Sequence, residues 1–359
     1  MSQQITPNQR VQATINKLTG GTDFQQGHVR DLHGKVAVIT GGTGGIGYEV
    51  SKALALAGCR VVALSRKQEH GDETLGSLRE AAAKIEGHSG QIDFKFVACD
   101  FGELKTVKEV ADSIARDEPR IDILINDAGI GVSNYALDAD GIERIFGVNV
   151  LGHYLFINRL LPTLRRTRAQ HNVVPRLINL TSNMHALAPS SCRFESLEEL
   201  NQPNLRADQY YERSKLAIIL YTKSLVSRAS LAPDQVVVLS VHPGAVSTEI
   251  QDQFQQAFGE TLGKVIKYLQ TPLMRSPEEG SLGTLWCAVS PEVEEMMRGG
   301  EGGEGKLEQG AYVTDPGKAG GETAQAQDMQ LAENVWNLCE KLVREKLGGE
   351  AMYKWDEGA

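Results

Sequence analysis

Residues 40–47 read T-G-G-T-G-G-I-G and join two segments of different pattern. Residues 35–40 (KVAVIT) form a short apolar run rich in Val and Ile, whereas residues 46–57 are predicted to be helical. Glycines let the backbone approach a pyrophosphate, and the N–H groups at a helix start attract negative charge. A glycine cluster by itself is also typical of a plain turn, but the strand–loop–helix order predicts a dinucleotide phosphate loop.

The same alternation of strand and helix continues along the chain. Short Val- and Ile-rich runs, which predict strands buried on both faces, occupy residues 35–40, 60–64, 94–98, 121–125, 176–180 and 236–241. Predicted helices occupy residues 46–57, 74–85, 104–115, 141–167, 211–230 and 277–288. This order predicts an α/β fold with a Rossmann-type, doubly wound parallel sheet of about seven strands in a single domain. Its ligand crevice is expected at the carboxyl ends of the strands.

The remaining segments are interpreted as extensions of this domain. We expect an N-terminal arm (1–30), the dinucleotide-binding domain (31–320), and a C-terminal helix and tail (321–359), with the helix at 324–347. In the arm, Val11, Ile15 and Leu18 have helical spacing. Two long connections, 185–209 and 251–275, are expected to be substrate loops, and 299–305 (GGEGGEG) a flexible surface loop.

Composition excludes several classes of partner. A net charge of −9 argues against nucleic acid as a general partner, because phosphate binding needs clustered Lys and Arg. No run reaches the ~18 apolar residues of a membrane span. The five cysteines are scattered without metal-ligand spacing. We therefore expect a soluble, cytoplasmic protein with reduced thiols and no metal site.

A tyrosine and a lysine four residues apart form the first candidate for catalysis. Tyr211 and Lys215 share one face of a predicted helix. An ammonium near a phenol lowers the phenol's pKa and makes it a better proton donor and acceptor near neutral pH. Y-x-x-x-K is common by chance, so its weight depends on the motifs around it.

Those motifs occur in an order that resembles the short-chain dehydrogenase/reductase family. The glycine loop, Asp100, residues 126–129 (N-D-A-G), Asn149, Ser182, the Tyr211/Lys215 pair and Pro243-Gly244 follow one another with the family's spacing. The resemblance covers about residues 34–315. It is nearest to the subgroup of retinol dehydrogenases and WW-domain oxidoreductase, on 45–50 (GIGYEV), 148–153 (VNVLGH), 182–185 (SNMH) and 241–249 (VHPGAVSTE).

The resemblance implies a set of site residues. The catalytic residues would be Asn149, Ser182, Tyr211 and Lys215: Ser182 binds the substrate oxygen, Tyr211 transfers the proton, Lys215 binds the nicotinamide ribose, and Asn149 holds a water. The cofactor-binding residues would be Gly41, Thr43, Gly44, Gly45, Ile46, Ser65, Arg66, Asp100, Phe101, Asn126, Ala128, Gly129, Thr181, Tyr211, Lys215, Pro243, Gly244, Val246 and Thr248. Thr181 is expected to have a mainly structural role.

Three side chains near these motifs are interpreted separately. Asp127 stands where the family carries a second Asn, which predicts altered local hydrogen bonding without loss of activity. His185 invites a proton-transfer role, although a lone histidine beside a site more often shapes its loop. His153 is expected to be packed in the core.

The end of the second strand indicates which nicotinamide cofactor is used. Ser65 occupies the place of the acid that binds the ribose 2′-hydroxyl in NAD-type folds, and Arg66 and Lys67 follow it. A carboxylate would repel a 2′-phosphate, whereas a hydroxyl and a guanidinium would bind it. The alternative is that both cations are merely solvated. The sequence favours NADP(H).

The predicted function is an NADP(H)-dependent oxidoreductase that transfers hydride between nicotinamide and a carbonyl or secondary alcohol. Reduction is favoured because NADPH is normally kept reduced in cells. A lipophilic ketone or aldehyde is indicated by apolar residues in and beside the two loops, Met184, Leu187, Phe254, Phe258 and Leu262. Family members are often dimers or tetramers, and we expect a homodimer or homotetramer. Two alternatives are a non-catalytic NADP(H)-binding redox sensor and a nucleotide-sugar epimerase or dehydratase.

Overall fold

The computed structural model describes residues 23–232, 234–244, 246, 275–299 and 306–356. Four features of the sequence analysis lie outside these ranges: the helical pattern at residues 11–18, the segment 251–274, Thr248, and residues 300–305 of the Gly/Glu-rich loop.

An eight-stranded sheet forms the centre of the described structure. Its strand order is β3-β2-β1-β4-β5-β6-β7-β8, parallel throughout except for the antiparallel β8. The strands are β1 (Val36–Thr40), β2 (Arg60–Ser65), β3 (Phe94–Ala98), β4 (Ile123–Asn126), β5 (Arg176–Leu180), β6 (Val237–Val241), β7 (Tyr312–Asp315) and β8 (Lys318–Ala319). The doubly wound parallel fold is confirmed. The strand number is eight instead of about seven, because the exposed two-residue β8 is too short and polar to produce an apolar run.

Helices cover both faces of this sheet. They are α1 (Gly45–Leu56), α2 (Glu69–Ala83), α3 (Leu104–Asp117), α4 (Gly152–His171), α5 (Leu197–Leu200), α6 (Ala207–Arg228), α7 (Pro277–Val289), α8 (Glu292–Met297) and α9 (Met329–Leu347). Strands β1, β5 and β6 are buried along their whole length, as their unbroken apolar runs predict. One core forms between the sheet and α3, α4, α6 and α9, and a second forms on the α1 and α7 side.

Two helical segments differ from the prediction in ways that affect the site. The helix expected from residue 141 begins instead at Arg144–Phe146 and passes through a π-turn at Gly147–Leu151 before α4. Its start is fixed by the Glu143 carboxylate, which accepts the backbone N–H groups of Ile145 and Phe146 at 2.8 and 3.0 Å. Helix α6 begins at Ala207, so Tyr211 lies in its second turn and not at its first residue.

The chain after α9 packs back onto α4. The Trp355 and Trp336 rings lie 4.6 Å apart between centroids, and both pack against Tyr154. The guanidinium of Arg159 stacks 3.8 Å from the Tyr353 ring centroid. This C-terminal segment therefore covers aromatic surface that α4 would otherwise expose. Within the described ranges, no helix is long and apolar enough to cross a bilayer.

Candidate active site

The glycine loop after β1 is shaped for close approach of the backbone to a ligand. Gly41 has a φ of 70°, in the left-handed region that favours glycine. A Cβ on Gly47 would lie 2.3 Å from the Gly41 carbonyl oxygen, so a larger residue would push the loop away from α1. The loop lies at the carboxyl end of β1 and opens α1, as a dinucleotide phosphate site requires.

A cleft of about 550 Å³ opens beside this loop. Of the predicted cofactor residues, it is lined by Gly41, Thr43, Gly44, Gly45, Ser65, Arg66, Asp100, Phe101, Ala128 and Gly129. The Ser65 hydroxyl is buried without a hydrogen-bond partner, and exposed Arg66 forms no ion pair with a described residue. An unsatisfied buried hydroxyl, a free guanidinium and a glycine-lined wall fit a nucleotide with an anionic group.

The other predicted cofactor residues that the structure describes lie outside the lining of this cleft. Asn126 donates to Asn179 Oδ1 at 2.8 Å and ties β4 to β5, while Thr181 donates to the Lys215 carbonyl at 2.7 Å. Both are buried and hold the framework. Val246 packs on Gly280, where an added Cβ would lie 2.5 Å from it and 3.4 Å from Ile46. The turn at Pro243 and Gly244 lies under Arg275, which donates to the Pro243 carbonyl at 3.4 Å.

Three of the four predicted catalytic side chains meet beyond the carboxyl end of β5. Lys215 Nζ lies 5.3 Å from the centroid of the Tyr211 ring and donates to the Leu180 carbonyl at 3.1 Å. The Ser182 hydroxyl interacts with the Tyr211 phenol and accepts the Met184 N–H at 3.2 Å, which fixes its direction. The i, i+4 spacing on α6 therefore brings a phenol and an ammonium to the same space.

Burial controls the protonation of this pair. It raises the pKa of Tyr211 to about 12, against the opposing hydrogen bond to Ser182, and the charge of Asp127 raises it further. Burial lowers the pKa of Lys215 to about 8, which Asp127 opposes. The hydrogen bond to Ser182 lowers the pKa of the phenol but does not offset its burial. The Tyr211 proton is consequently retained at neutral pH.

Asn149 lies in the π-turn that precedes α4. Its side chain accepts the Ile130 N–H at 2.8 Å and donates to the Ile130 carbonyl at 3.0 Å and to Ser214 Oγ at 3.1 Å. Asn149 therefore links the segment after β4 to α6, one residue before Lys215. Its amide makes no direct contact with Tyr211 or Lys215, so its described bonds serve to position α6.

Two histidines and a tyrosine hold the segment that carries Ser182 in position. His185 Nδ1 lies 2.7 Å from the Ser182 carbonyl, and its Nε2 accepts the Thr323 N–H at 3.3 Å. His242 Nδ1 accepts the Asn183 N–H at 3.2 Å. Both rings pack on Tyr312 of β7. Burial lowers the pKa of both imidazoles, so they are neutral supports, and the loop-shaping interpretation of His185 is the one that fits.

The structure also brings residues into the site that sequence reasoning did not select. Tyr48, His70, Glu73, Thr74, Ser77, Cys99, Ile130 and Val148 line the cleft. His70, Thr74 and Ser77 belong to α2, and their spacing of three to four residues along one helix face was the available signal. His153, expected to be packed, is buried and stacks on Phe101 with centroids 4.3 Å apart.

Comparison with known proteins gives the same class as the site. A model described as short chain dehydrogenase matches residues 35–188. A short chain dehydrogenase/reductase, dpchH, of Colletotrichum higginsianum is 30% identical over 90% of this chain and 79% of its own. Retinol dehydrogenase 12 of Mus musculus is 30% identical over 87% of both chains. L-sorbose reductase from Gluconobacter frateurii, solved with NADPH and L-sorbose, has a TM-score of 0.56 at 21% identity, covering 82% of this chain and 99% of its own.

The chain belongs to the short-chain dehydrogenase/reductase family, and it is an oxidoreductase that uses a nicotinamide cofactor. Within that family it is similar to the retinol dehydrogenases. These relatives confirm the family resemblance that was inferred from the motifs. They do not favour the alternative of a non-catalytic redox sensor.

Proposed function

We propose that this protein is an NADPH-dependent reductase of lipophilic ketones or aldehydes. The observation that carries the proposal is the meeting of the Tyr211 phenol, the Ser182 hydroxyl and the Lys215 ammonium at the end of β5, beside the glycine-lined cleft. A phenol that keeps its proton at neutral pH is suited to donate it to a carbonyl oxygen that gains negative charge.

Each side chain has a defined part in this reaction. Ser182 and Tyr211 donate hydrogen bonds to the carbonyl oxygen, and Tyr211 releases its proton to that oxygen as the alcohol forms. Lys215 binds the ribose beside the phenol and compensates the phenolate that remains. Asn149 holds α6 in position through Ser214. When bound, the reduced nicotinamide supplies the hydride.

Accessible apolar side chains close to Ser182 in sequence support a lipophilic substrate. Met184 is half-buried, and Leu187, in the 3₁₀ turn after Ser182, remains 64% exposed. Small-molecule sites are lined mainly by apolar side chains with a few polar groups, and Met184 and Leu187 supply apolar surface close to the Ser182 hydroxyl.

A substrate panel tests the proposal directly. We expect oxidation of NADPH, followed by absorbance, with medium-chain aldehydes, polyene aldehydes and cyclic ketones, and slower turnover of short hydrophilic carbonyls. Charge-assisted hydrogen bonds to a 2′-phosphate are worth about 1.5–3 kcal/mol, so kcat/KM with NADPH should exceed that with NADH by about 10- to 100-fold. Tight NADPH binding without turnover of any carbonyl would contradict the proposal.

The variant Ser65→Asp should reverse the cofactor preference. A carboxylate at this position would oppose a 2′-phosphate but accept the 2′-hydroxyl of NADH, and like-charge contacts cost several kcal/mol, so kcat/KM with NADPH should fall by about 100-fold. Ser65→Asn is the matched control, because it adds similar volume without charge. An unchanged ratio of NADPH to NADH activity in Ser65→Asp would place the 2′-phosphate elsewhere.

A further inference from the structure

Asp127, the residue that departs from the family's motif, has its backbone fixed by Thr40. The N–H groups of Asp127 and Ala128 both donate to Thr40 Oγ1 at 3.0 Å. Thr40 Oγ1 also lies 2.9 Å from His153 Nε2, and His153 Nδ1 lies 3.0 Å from the Val148 carbonyl. Each polar atom of this buried hydrogen-bond network has a partner. The turn after β4 therefore holds the Asp127 backbone in one orientation.

The Asp127 side chain points into the glycine loop. A Cβ built on Gly47 would lie 2.6 Å from Asp127 Oδ2, and one on Gly41 would lie 3.2 Å from it. The nearby backbone N–H of Gly47, in the first turn of α1, lowers the pKa of this carboxyl group. Asp127 therefore uses the positive end of the same helix that attracts the pyrophosphate of a dinucleotide.

The charged and titratable groups around this carboxylate are few among the described residues. Lys215, on α6, attracts it, and Tyr211 has its pKa raised by it. His153, behind Thr40, is neutral, because burial lowers its pKa to about 3. Although Asp127 is partly accessible, burial of its carboxyl raises the pKa of Asp127 to about 7, against the attraction of Lys215.

A dinucleotide brings two further negative charges to this loop. An ionised Asp127 would then lie against the same glycine loop as the pyrophosphate, and a nearby like charge disfavours the ionised form. A neutral carboxyl group removes this repulsion. An Asn side chain in this position is uncharged, so it would not repel the pyrophosphate and would not need to take up a proton.

We propose that Asp127 takes up a proton from solvent when the dinucleotide binds, so that this carboxyl group couples cofactor affinity to pH. The inference rests on the proposed function only in requiring a dinucleotide in the cleft. The direction of the pH dependence follows from linkage. Because the complex favours protonated Asp127, dinucleotide affinity is highest below the pKa of Asp127 in the free protein and falls as pH rises through that pKa.

Calorimetric titration of the full chain tests this coupling. The heat of NADPH binding at pH 7, measured in two buffers of different ionisation enthalpy, gives the number of protons exchanged. We expect uptake of about half a proton by the unmodified protein and a dissociation constant that rises several-fold from pH 6 to pH 8, limited to about tenfold per pH unit for one proton. Asp127→Asn should exchange close to none, bind more tightly at pH 8, and show a flat pH dependence.

Parallel titration with NADH separates Asp127 from other proton acceptors. NADH lacks the 2′-phosphate but keeps the pyrophosphate, so the same uptake is expected. Uptake with NADPH alone would assign the proton to the 2′-phosphate or His70, and undiminished uptake by Asp127→Asn would assign it to another group; either result overturns the inference. If Asp127→Asn folds poorly, Asp127→Ser replaces it as the variant without a carboxyl group, and undiminished uptake by that variant overturns the inference in the same way. Failure of both dinucleotides to bind would instead refute the proposed function and remove the basis of this inference.

Discussion

Replacement of Tyr211 by phenylalanine should lower kcat by about a thousandfold, since a positioned proton donor contributes about 10²–10⁴ to a rate. The ring and its packing remain, while the hydroxyl beside Ser182 is lost. The carbonyl oxygen would then develop its charge with one hydrogen bond fewer and without the phenol that supplies its proton. Steady-state turnover with NADPH and the best carbonyl of the panel measures the effect, with NADPH affinity expected to change little.

The preceding tyrosine provides a matched control. Tyr210 donates its hydroxyl to the Gln202 carbonyl at 2.7 Å and points away from Lys215. Tyr210→Phe removes one hydrogen bond, so it should cost about 1 kcal/mol of unfolding free energy and leave kcat nearly unchanged. Near-normal turnover in Tyr211→Phe, or an equal loss in both variants, would refute the assignment of Tyr211 as the proton donor.

Substitution of Gly47 by alanine should weaken NADPH binding by about 100-fold, the scale expected when a binding element shifts by about 1 Å. The added Cβ would lie 2.3 Å from the Gly41 carbonyl oxygen and 2.6 Å from Asp127 Oδ2. The first of these atoms belongs to the backbone and cannot rotate away, so the glycine loop itself must move. Fluorescence titration with NADPH measures the loss.

A second helix glycine shows whether the effect is specific. Gly76 lies in α2, and a Cβ there would meet no atom within 4 Å. Gly76→Ala should therefore stabilise the protein by about 0.5–1 kcal/mol without changing NADPH affinity. If Gly47→Ala bound NADPH as tightly as Gly76→Ala does, the close packing of the loop on α1 would not be needed for the cofactor.

Local sequence patterns were sufficient to predict the sheet and the arrangement of Tyr211 and Lys215. Unbroken apolar runs such as β5 and β6 identify strands buried on both faces, and i, i+4 spacing places two side chains on one helix face. Because parallel strands end at one edge of the sheet, the motifs that follow them meet there. The order of the motifs along the chain therefore carries most of the information about the site.

Contacts between distant segments were not predictable in this way. The π-turn that carries Asn149 and the packing of Tyr312 on two histidines depend on segments far apart in sequence. The backbone of Asp127 is held by a hydroxyl on β1, so its departure from the motif was visible but its consequence was not. Burial also determined the pKa of Tyr211, a quantity that spacing alone does not contain.

Strand β7 has a consequence for how the enzyme is made. It joins the sheet beside β6 only after residue 312, and its Tyr312 packs on His185 and His242. A nascent chain that has emerged as far as Lys215 carries every proposed catalytic residue but lacks this ring. Activity should therefore appear only late in synthesis. A transcript truncated before β7 would encode all the proposed catalytic residues but not Tyr312, which packs on the histidines beside Ser182.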